Sequence, residues 1–284
     1  MSVGKEMPRV IAISSGKGGV GKTFFSVHLA DFAAAQGQRV LLLDADLGLA
    51  NVDVMLGISA KGSILEMVRG EKSLADLIVR ANNRFDVLPG GSGLYELTTL
   101  DATQQQVMLD QMRSVSSQYD LVLIDAAAGI GDNVLYFVSA SESALVVLTP
   151  DPTSLTDAYA LIKVLSRQRG VHRFMVLVNH AEAFDAQVTF QRLLSVADRY
   201  LDVHLDFVGC LPHSADVRST IQKQSLLQEQ DAPLTKQALD EVLGSILSRP
   251  RDQGRSGGLQ FFWEHSLEEG MNMDVDAEET SSAR

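Results

Sequence analysis

Apolar residues along this chain gather into short unbroken runs rather than long or strictly alternating ones. Runs rich in β-branched and aliphatic side chains cover residues 10–14, 39–44, 85–88, 120–125, 144–149, 174–179 and 206–211. Such runs, with little polar alternation, predict strands buried on both faces. Between them, residues 23–36, 103–117, 154–168, 187–200 and 234–247 space their apolar positions as helices do. Gly37 predicts the end of the first helix, since helices commonly stop where glycine can turn left-handed. Alternating strands and helices imply an α/β fold: a mostly parallel, doubly wound sheet with helices on both faces. Ligands of such sheets sit at the carboxyl ends of the strands, where the distinctive polar residues of this sequence fall.

The pattern changes after residue 248, so residues 1–248 are read as one domain. Arg249, Pro250, Arg251, Gly254, Arg255, Gly257 and Gly258 make residues 249–258 a basic linker. Leu259, Phe262, Trp263 and Leu267 then follow helical spacing, which predicts an amphipathic helix over 259–270. Residues 271–284 read as an acidic, disordered tail.

Charge and cysteine usage narrow the function classes. The formal net charge is −12, which opposes a broad hold on nucleic-acid phosphates, so direct DNA binding is not expected. Cys210 is the only cysteine of the 284 residues, which excludes an internal disulfide or a CxxC cluster site within one chain. With no signal-peptide pattern and no run long enough to cross a bilayer, a cytoplasmic location is expected.

The chemistry concentrates in Gly16-Lys17-Gly18-Gly19-Val20-Gly21-Lys22-Thr23, which follows the first strand and opens the first helix. This fits the G-x-x-x-x-G-K-[ST] phosphate loop in its proper context. Backbone N–H groups from Gly18 to Thr23 and the helix N-terminus would cradle phosphates, Lys22 would hold the β- and γ-phosphates, and the Thr23 hydroxyl would bind Mg²⁺. ATP and Mg²⁺ are therefore the expected cofactors. Asp44 and Asp125 stand at strand ends facing the same ligand region, as metal-side carboxylates do. Helix capping is the alternative for these acids and for Asp46. Asn179 ends another strand, where its amide can donate to and accept from an adenine edge or form a turn.

The GKGGVGKT stretch, with its second lysine, resembles the deviant Walker A loop of the MinD/ParA family of P-loop ATPases. The stretches Asp46 to Gly57 (DLGLANVDVMLG), Asp125 to Asp132 (DAAAGIGD), Pro152 to Leu165 and Leu259 to Leu267 (LQFFWEHSL) resemble its flagellar-number regulators in particular. The resemblance implies a slow, switch-type ATPase that forms a homodimer with ATP, Lys17 reaching the phosphates held by the other subunit. It implies that Asp46 positions or activates the attacking water and that Gly129 lies in a second switch. It further implies that Asn179 and the backbone around Pro212 contact adenine, and that Asp157 lies near Lys17 and the dimer contact. Implied partners are the master flagellar transcription activator, a flagellar signal-recognition-type GTPase and the inner membrane surface, reached through Leu259, Phe262, Trp263 and Leu267. Two departures shift the expectation toward the activator: Ala126 stands where the family usually has threonine, and a DQAxxLR-like N-terminal segment is absent. The alternative within the family is a cell-division or partition-positioning ATPase.

Overall fold

A computed structural model of the chain describes residues 7–46, 51–90, 102–228 and 230–251. Its centre is one eight-stranded sheet made of β1 (Arg9–Ser15), β2 (Val40–Ala45), β3 (Val79–Ala81), β4 (Phe85–Leu88), β5 (Leu121–Ala128), β6 (Ser143–Leu148), β7 (Arg173–Asn179) and β8 (His204–Leu211). The spatial order is β3-β4-β2-β5-β1-β6-β7-β8, and every pairing is parallel except β3 with β4. The seven strands read from the sequence are all present. β3 was not among them, because three residues with one buried side chain leave no apolar run. It exists through a turn in which Asn82 and Asn83 both have positive φ, a conformation asparagine tolerates and tight antiparallel connections require.

The helices are α1 (Lys22–Ala35), α2 (Asn51–Leu56), α3 (Ile64–Val68), α4 (Leu74–Leu77), α5 (Ala102–Ser116), α6 (Asp132–Ser139), α7 (Pro152–Arg169), α8 (Ala183–Tyr200), α9 (Ala215–Gln222) and α10 (Pro233–Leu247). Five match the helices expected from spacing, and Gly37 turns left-handed just beyond α1 as anticipated. The short ones carried a different signal. α3 and α4 each open on a reciprocal capping box, Ser63 with Glu66 and Ser73 with Asp76.

Both faces of the sheet are covered, and β1 shows why its apolar run does not alternate with polar residues. Val10 and Ala12 join a core with Leu161 of α7 and Leu193 of α8. Ile11 and Ile13 face the other way, into a core with Phe25 of α1 and Leu239 of α10. The parallel register sets Ile13 of β1 and Asp44 of β2 on either side of Asp125 of β5. Three neighbouring strands thus deliver their functional ends to one crevice.

The body extends slightly past residue 248. Arg249 donates to the Phe207 carbonyl at 3.0 Å, and Arg251 donates to the Met7 and Pro8 carbonyls at 2.8 and 3.0 Å. The first residues of the expected linker are therefore fastened to the base of the sheet. The amphipathic helix with Leu259, Phe262, Trp263 and Leu267, and the acidic tail, lie outside the described residues.

Candidate functional site

The loop between β1 and α1 is held by contacts that only glycine permits. A Cβ on Gly16 would lie 2.1 Å from the backbone carbon of Asp157, so the loop passes directly against α7. Gly21 has φ 88°, and a Cβ there would meet the Asn179 amide nitrogen at 2.2 Å. That amide donates to the Val20 carbonyl at 2.7 Å and accepts from the His180 N–H at 2.9 Å. Asn179, buried at the end of β7, is therefore a brace for the phosphate loop. α1 itself begins without a side-chain cap and without an acid in its first turn. Its first N–H groups and the positive end of its dipole are left for an anion.

Behind the loop lies a buried charge cluster. Lys22, 6% exposed, donates to Asp125 Oδ1 at 2.9 Å and lies 3.9 Å from Asp46. Ser26, one turn along α1, donates to the same Asp125 oxygen at 2.9 Å. Asp44, fully buried in β2, accepts the N–H groups of Asp46 and Val52, both at 3.2 Å. Burial and the facing Asp125 push its carboxyl up to about 7, against the pull of those two N–H groups. Two buried carboxylates thus face one another with Lys22 paired to Asp125, and the Oδ2 atom of Asp125 is buried with no hydrogen-bond partner. Both features fit a cation bound on the carboxylate side of the loop. Among the described residues, no group of three or more His, Cys, Asp or Glu could hold a metal alone. A Mg²⁺ ion here would need phosphate oxygens and water beside Thr23, as that ion ordinarily takes.

The second loop lysine is placed differently. Lys17, 42% exposed, donates to Asp151 Oδ2 and to Thr153 Oγ1, each at 2.7 Å. Asp151 is the N-cap of α7, where it also accepts the Thr153 N–H. Lys17 and then the Thr153 groups hold its carboxyl down at about 2. The sequence reading passed over Asp151, although an acid directly before Pro152 at a helix start is a capping signal. Asp157 lies half-buried six residues further along α7, with its backbone against Gly16, while the ion pair of Lys17 is made with Asp151. Gly129, with φ 96°, follows β5 and donates to the Ser15 carbonyl at 2.8 Å. This places the expected second switch beside the root of the phosphate loop.

A cleft of about 190 Å³ opens next to Gly21, lined by Phe24, Asn179, Pro212, His213 and Thr235 among others. Asn179 and Pro212, read separately from the sequence, are thereby brought together. The rings of His180 and His213 stand edge-to-face across it, 5.7 Å apart. Neither histidine nor Phe24 was singled out by sequence, though both histidines directly neighbour residues that were: His180 follows Asn179 and His213 follows Pro212.

The chain is similar to known proteins over most of its length. A family model described as an AAA domain matches residues 8–173. The antiactivator FleN of Pseudomonas aeruginosa is 41% identical over 263 residues, covering 92% of this chain and 94% of that one. The flagellum site-determining protein YlxH of Helicobacter pylori is 32% identical, covering 85% and 82%. Among solved structures, the septum site-determining protein MinD of Pyrococcus horikoshii, complexed with Mg-ADP, superposes with a TM-score of 0.67. It is 23% identical and covers 85% of this chain and 97% of that one, a likeness of fold.

Proposed function

Since the chain belongs to the MinD/ParA family of P-loop ATPases, we propose that it is an ATP-driven dimerising switch that restrains flagellar biogenesis. The observation that carries this reading is the paired restraint of the two loop lysines, Lys22 on Asp125 and Lys17 on Asp151. A triphosphate entering the loop competes for Lys22 with a second anion, releasing Asp125 toward the metal side. Mg²⁺, when bound, supplies charge neutralisation on the phosphates and orients them. Thr23 and Asp125 would hold it, with Asp44 behind them. Asp46, near Lys22 and 19% exposed, would orient an attacking water. Asn179 and Pro212 would frame the adenine. Lys17 leaves Asp151 and Thr153 to reach the phosphates of a second subunit, where a cation supplied in trans offsets transition-state charge.

The output of such a cycle is a surface, present with ATP and lost on hydrolysis. The name antiactivator carried by the FleN relative supports the master flagellar transcription activator as partner. The YlxH name supports a role in siting flagella, for which the signal-recognition-type GTPase is the second partner. Residues 259–270 would add nucleotide-dependent membrane attachment, two helices per dimer giving the avidity that one lacks. Among the described residues no helix is long and apolar enough to cross a membrane.

The test is recovery of partners from cells by an Asp46→Ala variant held with ATP. Capture of a flagellar activator in an ATP-dependent manner is expected. Capture of division or plasmid-partition proteins in its place would transfer the assignment to the cell-division branch of the family.

A further inference from the structure

At the end of the sheet opposite the phosphate loop, the starts of β1, β6 and β7 border a cavity of about 230 Å³. Four guanidinium groups converge on it. Arg9 opens β1, Arg173 opens β7, and Arg249 and Arg251 follow α10. Two carboxylates answer them. Glu142 takes Arg251 through two contacts of 3.2 and 2.8 Å. Asp206 is shared by Arg249 at 2.8 Å and Arg173 at 3.3 Å.

Arg9 has no such partner. It is 8% exposed, and its Nη1 donates to the carbonyls of Leu247 and Arg249 at a long 3.3 Å. Among the described residues no carboxylate lies within ion-pair distance of it. Its Nε atom and that of Arg249 are buried without an acceptor. Burial lowers the Arg9 pKa, and the neighbouring Arg251 and Arg249 add to this against Glu142. Guanidinium stays charged in proteins, so the site cannot relieve itself by losing a proton. A buried cation without a counter-ion is costly.

The charge balance points to an anion. Among the described residues Arg251 and Glu142 cancel, and Arg9, Arg173 and Arg249 stand against Asp206, a local surplus of two positive charges in a chain of net charge −12. A phosphate monoester carries about −1.5 to −2 at pH 7, and guanidinium forks match phosphate oxygens in pairs. With about 30 Å³ per water molecule, the cavity has room for such a group. We propose that this cavity is a second anion site, separate from the phosphate loop, which takes a phosphate-type dianion between Arg9, Arg173 and Arg249. A soluble phosphate and a lipid headgroup share that chemistry.

Equilibrium dialysis of radiolabelled inorganic phosphate against the full chain tests the site. The Lys22→Ala variant is used alongside wild type saturated with MgADP, so that neither arm reads phosphate held in the loop. Binding is expected in both, weakened about tenfold by Arg173→Gln or Arg249→Gln, the loss of one charge-assisted contact. Those side chains are 60% and 25% exposed, and circular dichroism confirms that the variants fold. Absence of binding, or binding that both arginine variants retain, overturns the proposal. Flotation with phosphatidylcholine vesicles, with and without phosphatidylglycerol, separates the sources. Anionic-vesicle binding weakened by Arg173→Gln assigns a lipid phosphate; dialysis binding with no such dependence assigns a soluble one.

Discussion

Single residues decide how the phosphate loop is built and held. Gly16 sits where any side chain would strike the α7 backbone at Asp157. Gly16→Ala should therefore cost more than the ~1–3 kcal/mol of an overpacked core, since backbone cannot yield as a side-chain tip can. Thermal melts should show the loss, together with failure to retain ATP; an unchanged melt would mean that α7 moves freely. Lys17 was legible as a special lysine because the loop is contiguous in sequence. Its resting partner was not, because Asp151 lies 134 positions away. Likewise Lys22 and Asp125 meet only through strand register, 103 positions apart. Asp151→Asn keeps an oxygen for the α7 cap but removes the charge that holds Lys17. ATP-dependent dimers of this variant should form at lower protein concentration in sedimentation runs, while an unchanged midpoint would show that the contact does not restrain Lys17.

At the scale of elements, α1 is the hub: it carries Lys22 on one end and packs against α10 and the segment before it. His28 fastens this hub. Its Nδ1–H donates to the Phe24 carbonyl at 2.8 Å, and its Nε2 accepts the Leu227 N–H at 3.2 Å, which fixes the neutral tautomer. Burial holds its pKa down at about 4, against an ordinary value of 6.5. Between those values the unfolded chain binds a proton that the folded one refuses, so stability rises with pH across that window. The His28 contribution is complete above about pH 6.5 and is lost as pH falls toward 4. Urea melts of wild type and His28→Gln at pH 7.5 and pH 5 should show wild type losing more stability on acidification; parallel losses would refute the assignment. Replacement by alanine at pH 7.5 should cost about 1–3 kcal/mol for the orphaned Leu227 N–H alone. The long elements were legible because runs buried on two faces and helices of 14 to 18 residues leave a clear pattern. Helices of four to six residues are too short to display a period, and the capping boxes of α3 and α4 are signals that apolar spacing does not register.

On the scale of the whole molecule, the sheet separates two charged ends. Its carboxyl end gathers the loop, the carboxylates and the cleft beside Asn179; its amino end gathers the arginines around Arg9. The first was readable because parallel sheets place ligands there. The second was not, since Arg9, Arg173 and Arg249 belong to different elements and only the strand order β1-β6-β7-β8 makes them neighbours. In the proposed switch two copies close around ATP, each contributing Lys17 to the other. Sedimentation velocity of the full chain with MgATP and with MgADP, for wild type and Lys17→Ala, tests it most directly. Wild type should form a dimer with MgATP only, and Lys17→Ala should stay a monomer that still binds ATP. A wild-type chain that stays monomeric at ATP saturation, or a Lys17→Ala chain that dimerises as well as wild type, would contradict it.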